Sequence, residues 1–425
     1  MKQLKAVLVG FGNRGEIYAD YSLKCPNELK IVGVVEIDAN RLKEAQARYG
    51  LADDQIFSSL ETFLRAKLEC DFVINATMDQ MHYETAIEIL KAGYNMLIEK
   101  PVTAKKEELL EIESLAKEKG VRVFVCHVLR YTPFYSKIKQ CLDEGKIGDI
   151  LSMELNEHVG IAHFTTAFVP GRWSSERQCG SPLLLAKCCH DTDLLCWLNN
   201  KTTPTRVSSF GSRNLFVKDK APKDSTERCI DCPHSETCLY DAKKICLSLN
   251  KNTFEAWVGS ERPFEEIDEA EKIELLKTSN YGKCVYKSWG DIVDRQNMIV
   301  EYENGSVATL TLVAAAMQAG RWIHIVGTKG TIIGMLEEGK FTLREFNMNG
   351  SEYGDSATEF DVNADIAVND DHLGGDFALM RDITRYFAGK TISPSLTNIE
   401  DSINGHLIVY AAEESRKNHS VSKIR

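Results

Sequence analysis

Residues 4–15 read Leu4-Lys5-Ala6-Val7-Leu8-Val9-Gly10-Phe11-Gly12-Asn13-Arg14-Gly15. The first six residues are apolar except for Lys5, which is typical of a buried parallel strand. Three glycines follow at GxGxxG spacing, and residues 16–23 can continue as a helix. In such a turn Gly10 permits the tight bend, Gly12 leaves room for a pyrophosphate, and Gly15 lets helix and strand pack closely. The N–H groups that begin the helix would face the phosphates.

A second strand supports the same interpretation. Ile31–Val35 ends at Glu36, which follows Gly15 by 21 residues. At about 20 residues from the glycines, a carboxylate can hold a ribose 2′-hydroxyl. The order of strand, glycines, helix, strand and acid predicts a dinucleotide site rather than an ordinary glycine turn. Glu36 would repel a 2′-phosphate and favours NAD over NADP, although the nearby Arg41 weakens that preference.

Length and charge limit the classes of function. The chain has 425 residues, of which 43% are hydrophobic, enough for two or three domains with a sizeable core. Its net charge of −11 argues against nucleic acid or an anionic membrane as a partner.

Location is predicted from what the sequence lacks and from its cysteines. No basic leader precedes the first strand, so we expect no signal peptide. No apolar stretch approaches the roughly 20 residues of a transmembrane helix. The 13 cysteines are an odd number, and many have apolar neighbours, which suits a reducing cytoplasm better than a disulfide framework.

Strands and helices alternate up to about residue 127, which predicts a doubly wound parallel sheet, with a domain boundary near residue 128. In this fold the ligand lies across the carboxyl ends of the strands. Two polar turns follow predicted strands at that edge: Thr77-Met78-Asp79 and Glu99-Lys100-Pro101.

Residues 129–425 follow a different pattern. Alternating segments separated by Gly and Asn turns predict a second α/β domain with a large, mostly antiparallel sheet. Residues 376–388 and 398–418 are predicted to be closing helices. The segment from about 216 to 257, rich in Lys, Cys and Pro, is predicted to be an insertion.

The motifs together resemble one family. Five stretches are similar to motifs of the Gfo/Idh/MocA oxidoreductases, which include glucose–fructose oxidoreductase and inositol dehydrogenase. They are the glycine turn, Glu99-Lys100-Pro101, Arg130-Tyr131, Leu183–Leu195 and Gly327-Thr328-Lys329-Gly330. The resemblance spans essentially the whole chain. It implies a Rossmann domain at 1–128, an α/β domain whose open sheet carries the substrate pocket, and a nicotinamide cofactor acting on sugars, polyols or their derivatives. It also implies a homodimer or homotetramer.

Lys100 is the first candidate for catalysis. It follows a strand end, and Pro101 stiffens the turn, so its ammonium could face the nicotinamide ribose and the reacting hydroxyl. Partial burial beside another cation is expected to lower its pKa toward neutrality. The local sequence fits a surface lysine equally well, and the resemblance favours the catalytic role. The predicted cofactor-binding residues are Gly10, Phe11, Gly12, Asn13, Arg14, Gly15, Glu36, Thr77, His82, Glu99 and Lys100.

His190 lies in an apolar segment that is predicted to be a strand or loop leading into a buried helix. A histidine there is more often a satisfied core residue, but the resemblance implies contact with the substrate hydroxyl, with Asp193 as an orienting carboxylate. Many family members carry an aspartate where this chain has Ala186. The adjacent Lys187 is a charge in an apolar run and needs a partner or ligand, so we predict a catalytic role in the pocket. The proton acceptor is left open between Lys100 and His190.

The predicted substrate-binding residues combine carboxylate, guanidinium, imidazole and aromatic groups, which suit a hydroxyl-rich sugar, although solvated loops would explain them equally well. They are Arg130, Glu157, His158, His163, Arg172 and Trp173. His372 is a further residue that could face the pocket.

The cysteine-rich insertion predicts a metal site. Cys229, Cys232 and Cys238 have C-x2-C-x5-C spacing, and Cys246 or Cys284 could supply a fourth thiolate. Residues 281–286 resemble the segment that carries the fourth cysteine in related proteins, which selects Cys284. A structural zinc is preferred to an iron–sulfur cluster because no surface for a redox partner is evident. Separate buried thiols are the alternative.

These observations predict an NAD-dependent oxidoreductase that transfers a hydride between the cofactor and a sugar, polyol or sugar acid. One alternative is a glycosidase that uses bound NAD transiently, without net oxidation. The other is a non-catalytic sensor of NAD(H), against which Lys100 and His190 argue.

Overall fold

The N-terminal half of the chain is built on six parallel strands in the order β3-β2-β1-β4-β5-β6. The computed structural model describes residues 3–247, 267–349, 352–362 and 371–425. The strands are β1 Leu4–Val9, β2 Leu29–Val35, β3 Ile56–Phe57, β4 Phe72–Asn75, β5 Met96–Ile98 and β6 Val123–Val125. The helices are α1 Asn13–Ala19, α2 Tyr21–Lys24, α3 Ala39–Tyr49, α4 Leu60–Ala66, α5 His82–Lys91, α6 Lys106–Lys119 and α7 Pro133–Asp143.

A nine-stranded sheet forms the second half, in the order β14-β13-β12-β11-β7-β10-β9-β8-β15. The neighbours β7 and β10 are parallel, and the other neighbouring pairs are antiparallel. Its strands are β7 Ile150–Gly160, β8 Pro204–Ser212, β9 Arg295–Tyr302, β10 Val307–Ala316, β11 Gly320–Gly327, β12 Gly330–Met335, β13 Lys340–Asn349, β14 Glu352–Asp361 and β15 Ser422–Lys423. The predicted fold class is confirmed: a Rossmann-like parallel sheet precedes a mixed, mostly antiparallel one.

The helices of the second half are α8 Ile161–His163, α9 Glu176–Cys179, α10 Leu183–Leu198, α11 Ala242–Leu247, α12 Glu269–Thr278, α13 Gly375–Phe387 and α14 Ile399–Asn418. They include two long ones, α10 and α14, that pack on each other and on the large sheet. Nearly every residue of α10 is buried. The chain is already helical at Leu183, so the strand or loop predicted before His190 is corrected. A helix that is buried on all sides belongs to a core, and α10 packs against α14 and the large sheet, with its charged side chains paired inside.

The last part of the chain returns to the first sheet. Leu379, Met380 and Ile383 of α13 join the core beneath β1 and β4. The ring of Phe387 stacks on Phe72 with centroids 5.1 Å apart. The Rossmann-like sheet is therefore completed by a helix that comes from the far end of the sequence.

The insertion contributes short turns and helix α11, and residues 248–257 of its predicted range lie outside the described residues. Across the described ranges, no helix has the length and apolar character needed to cross a membrane.

Candidate active site

The glycine turn has the geometry that its spacing predicts. Gly10 adopts a φ of +90°, and a Cβ there would lie 2.7 Å from the Ala76 oxygen. A Cβ on Gly15 would lie 2.1 Å from the Gly10 oxygen, so helix α1 could not pack on β1 with any larger residue. A Cβ on Gly12 would meet nothing within 4 Å. The turn thus leaves space beside Gly12, where a pyrophosphate can approach the backbone.

Glu36 closes the other side of this turn. Its carboxylate accepts hydrogen bonds from the Phe11 N–H at 2.8 Å and the Asp38 N–H at 3.0 Å. Phe11 is buried, and Asn13 is exposed at the start of α1. The carboxylate is thereby fixed beside the glycine turn, as a ribose-binding acid must be.

Glu99 and Arg14 join this turn to the end of β5. Arg14 Nε donates to Glu99 at 2.8 Å, and the Tyr18 hydroxyl donates to the same oxygen at 2.7 Å. Burial disfavours the charged carboxylate, but Arg14 and Lys100 outweigh it and hold the pKa of Glu99 below its usual range. Arg14 also forms an ion pair with Asp376 of α13, which links the glycine turn to the last part of the chain.

Lys100 extends from the β5 end toward α10. It precedes a cis peptide bond to Pro101, and its Nζ donates to the Ala186 oxygen at 3.2 Å. Burial acts to lower its pKa, but Cys189 and the carboxylates of Glu99 and Asp79 outweigh burial and raise it. The predicted lowering is therefore wrong: the surroundings of Lys100 favour its cationic form.

His82 connects the two polar turns at the strand ends. Its Nδ1 lies 2.7 Å from the Pro101 oxygen and its Nε2 lies 2.9 Å from the Thr77 oxygen. The Thr77 hydroxyl donates to Asn75 at 3.0 Å. Because both ring nitrogens face backbone oxygens, His82 fixes the two turns relative to each other. Neither nitrogen is left free to bind a ligand.

His190 lies on α10 close to Lys100. It is buried, and its Nδ1 has no hydrogen-bond partner among the described residues. Burial lowers the pKa of His190 well below its usual value, and the charge of the nearby Lys100 adds to the shift. A neutral imidazole beside a lysine cation can accept a proton while the cation stabilises negative charge.

A group of buried charges lies beside His190, between α10 and the large sheet, and this region is the candidate substrate pocket. Glu157 of β7 and Arg321 of β11 are opposite each other in register, with Arg321 Nη2 2.6 Å from Glu157 Oε2. Lys187 Nζ lies 3.5 Å from Glu157 Oε1, so the partner expected for Lys187 is a carboxylate of this chain. Arg321 Nε also donates to Asp191 at 2.9 Å. Burial raises the pKa of Asp191 to about 6 against the effect of Arg321.

The sequence did not single out Arg321 or Asp191, and it identified Asp79 only as part of the polar turn after β4. Arg321 has a detectable signal, since it shares the inward phase of Ile323 and Ile325 in an alternating strand. Asp79 is buried in the turn after β4, and burial raises its pKa in spite of His82 and Lys100.

Arg130 is placed differently from its prediction. It is fully buried, and its Nε and Nη2 donate to the two oxygens of Asp193 at 2.6 and 2.5 Å. Its guanidinium also lies over the Trp197 ring. With the forked face of Arg130 committed to Asp193, the substrate-binding prediction is corrected to a structural one.

Other predicted substrate residues divide between the two faces of the large sheet. Glu157 faces the pocket, so its neighbour His158 faces the opposite side, where its ring lies 4.8 Å from that of Trp322. The prediction for His158 is therefore corrected. The ring of His163 lies 5.7 Å from that of Phe168, and burial lowers its pKa, with the charges of Lys187 and Arg321 adding to the shift.

Arg172 and Trp173 lie at the rim of the pocket. The Arg172 guanidinium is exposed, 5.4 Å from the Trp173 ring centre, and its Nη1 is 3.8 Å from Met78 Sδ. The Trp173 side chain lies beside Asp79 and acts to lower the pKa of that carboxyl, against the larger effect of burial. Both residues therefore border the turn that follows β4, as a substrate platform beside the cofactor edge should.

The cysteines of the insertion lie near one another. An isolated bridge between Arg228 and Lys283 brings Cys229 beside Cys284. Burial raises the pKa of Cys229 to about 12, and the charges of Cys284 and Cys238 add to the shift. Cys246 packs with Ile267 and Leu276. In the part of the chain that the structure describes, however, no group of three or more His, Cys, Asp or Glu side chains is arranged to hold a metal ion.

His406 supports the Lys100 turn and makes stability depend on pH. Val102 N donates to His406 Nε2 at 3.1 Å, and burial lowers the pKa of His406 to about 4. Between pH 6.5 and 4 the unfolded chain binds a proton here that the folded chain does not, so stability falls as the pH falls through this window. We expect the free energy of unfolding to lose about 3 kcal/mol across it from this residue.

Chemical denaturation at several pH values, compared with His406→Gln, measures this slope. Gln can still accept from Val102 but does not titrate, so the variant should lose less stability between pH 6.5 and 4. Equal slopes in the two proteins would contradict the assignment.

Comparison with known proteins agrees with this geometry. Residues 4–127 match the model of an oxidoreductase family with an NAD-binding Rossmann fold, GFO_IDH_MocA, and residues 139–424 match that family's C-terminal alpha/beta domain. The chain belongs to the Gfo/Idh/MocA family. It is therefore an oxidoreductase that binds a nicotinamide cofactor in its first domain, and the resemblance seen in the sequence is confirmed.

Individual relatives within the Gfo/Idh/MocA family are distant. YteT of Bacillus subtilis, named as an oxidoreductase, is 26% identical over 311 residues, which are 71% of this chain and 69% of YteT. An inositol 2-dehydrogenase of Corynebacterium glutamicum is 26% identical over 229 residues, 53% of this chain and 59% of that protein. The structure of a levoglucosan dehydrogenase with NADH and levoglucosan superimposes with a TM-score of 0.71 at 17% identity and covers all of both chains.

Proposed function

We propose that this protein is an NAD-dependent dehydrogenase of a sugar, polyol or sugar acid. The observation that carries the proposal is the reach of Lys100 from the cofactor edge of the Rossmann-like sheet to the Ala186 oxygen, one turn before His190. When bound, the nicotinamide accepts the hydride. Lys100 donates to the reacting oxygen and stabilises its negative charge, and the neutral His190 accepts the hydroxyl proton.

The pocket's own groups support a polar, hydroxyl-rich substrate. Lys187, Glu157 and Arg321 present charged donors and acceptors on the inner face of the sheet. Trp173 offers an apolar ring face at the rim. This is the mixture of groups that orients a small polyhydroxy ligand. Distant relatives named as inositol and levoglucosan dehydrogenases point to the same class.

A substrate panel tests the proposal. Sugars, inositols, levoglucosan, sugar acids and chromogenic glycosides are offered with NAD+, and NADH and aglycone release are followed together. Accumulation of NADH with one compound is the expected result. Aglycone release without net NADH would replace the dehydrogenase by the redox-assisted glycosidase. NAD binding without any turnover would favour the sensor.

We infer that the cofactor is NAD rather than NADP. The carboxylate of Glu36, fixed by the Phe11 and Asp38 N–H groups, would repel a 2′-phosphate. Glu36→Gln keeps an acceptor oxygen for one of these two N–H groups and removes the charge. We expect this variant to lower the ratio of NAD+ to NADP+ affinity at least about tenfold, measured by calorimetry. An unchanged ratio would contradict the role of Glu36.

A structural zinc bound by Cys229, Cys232, Cys238 and Cys284 is also proposed. The Arg228–Lys283 bridge brings Cys229 beside Cys284. Burial raises the thiol pKa values of Cys229, Cys238 and Cys284, so a bound metal would be what holds them as thiolates. Metal analysis of the purified protein should find about one zinc per chain, lost in Cys284→Ser and kept in Cys246→Ser. Well under one equivalent in the unaltered protein would contradict the site. The free cysteines also support the proposed cytoplasmic location.

The outer face of the large sheet is the proposed contact of a homodimer or homotetramer. It exposes Phe210 (71%), Ile299 (56%) and Ile333 (51%) on strands that no helix of the described chain covers on that side. Sedimentation should give a dimer or tetramer that Ile299→Lys weakens. A monomer at micromolar concentration would contradict the proposal.

A further inference from the structure

We propose that His372, held by Asp376, carries the substrate's proton from His190 out to solvent. The inference rests on the proposed function, because a dehydrogenase must dispose of one proton each time it oxidises an alcohol. The C–H hydrogen leaves as hydride to NAD+, and the O–H hydrogen leaves as a proton. His190 is buried, so a proton accepted there needs a route to water.

The ring of His372 lies between His190 and solvent. The two ring centroids are 6.3 Å apart, a separation that a substrate hydroxyl or one water can span. The His372 side chain is 40% exposed, whereas His190 is 6% exposed. His372 is therefore near His190 on one side and reaches solvent on the other.

Asp376 fixes which nitrogen of His372 exchanges the proton. Its Oδ2 lies 2.7 Å from His372 Nδ1. A carboxylate can only accept, so Nδ1–H donates and Nε2 is the basic nitrogen. Arg14 pairs with the same carboxylate, and burial notwithstanding, Arg14 and His372 lower the pKa of Asp376 to about 2. Asp376 thus remains an anion at any working pH.

The backbone at this point is strained in a way that serves the placement. His372 and Leu373 have φ values of +47° and +52°, in the left-handed region that side chains with a Cβ seldom adopt. Residues in such unfavourable backbone conformations persist only where the surrounding structure holds them, and they are concentrated at functional sites. Helix α13 follows at Gly375 and carries Asp376 in its first turn, so the turn brings the ring back over its own carboxylate.

Charges around His372 come from three other elements. Arg14 of α1 lies 3.4 Å from Nδ1, and His190 of α10 and His163 of α8 are both influenced by the His372 charge. His190 and His163 have their pKa values lowered by burial and by neighbouring cations. Of these histidines, His372 is the one with a carboxylate partner in the described chain, and so it is the one suited to hold the proton transiently.

The first test needs no turnover. Nitrogen-15 NMR of the full-length protein labelled at histidine, loaded with NAD+, reports the tautomer of each imidazole, and the His372 signal is assigned by its loss in His372→Gln. We expect His372 to carry its neutral-state proton on Nδ1. A proton on Nε2 instead would overturn the relay, because the basic nitrogen would then face Asp376.

The second test uses the sugar that gives the highest rate in the panel. His372→Gln should lower kcat about 10- to 100-fold while KM and NAD+ affinity stay unchanged, and added imidazole should restore part of kcat. His419→Gln, an exposed histidine at the end of α14, is the matched control and should behave as the unaltered protein. Full kcat in His372→Gln, or a loss without imidazole rescue, would overturn the relay. If no sugar is oxidised, the proposed function fails. The NMR measurement still shows which ring nitrogen of His372 carries the proton.

Discussion

Replacing Lys100 by methionine is expected to lower kcat by about a thousand-fold while NAD+ still binds. Methionine keeps the length and apolar stem of lysine and removes the ammonium that donates to the Ala186 oxygen. The raised pKa of Lys100 means that the residue acts as a cation, so the loss is that of charge stabilisation at the reacting oxygen. Stopped-flow kinetics and calorimetry with NAD+ separate this loss from weaker binding.

Lys105→Met is the control for the Lys100 experiment. Lys105 is exposed on the same segment and pairs with Glu108. Its removal should leave kcat within about twofold, as expected for a surface ion pair. If Lys100→Met retained kcat within threefold of the unaltered protein, Lys100 would have no place in the chemistry, and His190 alone would have to account for both charge and proton.

Arg130→Met is expected to lower the free energy of unfolding by about 3–5 kcal/mol. The change leaves the Asp193 carboxylate buried without its bidentate partner. An uncompensated buried charge costs far more than the lost attraction of an exposed pair. Chemical denaturation followed by circular dichroism measures the effect.

A second substitution in the same protein tests the cause. Asp193→Asn in the Arg130→Met background removes the stranded charge and should recover part of the lost stability. Arg65→Met breaks an exposed pair with Glu61 and should change the free energy of unfolding by under about 0.5 kcal/mol. If Arg130→Met were equally mild, Arg130 would be free for a ligand, and the original substrate-binding prediction would regain its basis.

The parts of the fold that follow local rules were predictable from the sequence. The glycine turn and the Glu99–Pro101 turn each occupy a few consecutive residues after an apolar strand. Parallel strands bring their carboxyl ends to one edge, which is why Lys100 was expected near the cofactor before any contact was known. The alternating second half equally predicted an antiparallel sheet.

The errors concern partners that are distant in sequence. Arg130 and Asp193 are 63 residues apart, and residue types alone do not reveal that they pair. Glu157 and His158 are neighbours on one strand, and only the register decides which of them faces the pocket. The direction of the pKa shift of Lys100 depends on whether the charges of Cys189, Glu99 and Asp79 outweigh burial. Those groups surround Lys100 only in the folded chain.

The return of α13 to the first sheet has a consequence for truncation. A fragment that stopped near residue 128 would contain the glycine turn yet lack Tyr386 and Phe387. The ring of Phe387 stacks on Phe72, and the rings of Tyr386 and Phe387 both meet Phe124 edge to face. The fragment would also lack Asp376, to which Arg14 is anchored. The cofactor-binding part of this enzyme is therefore not an independent folding unit. Its last helix, α13, is synthesised some 250 residues after its last strand, β6, so nearly the whole chain must leave the ribosome before that part can complete its fold.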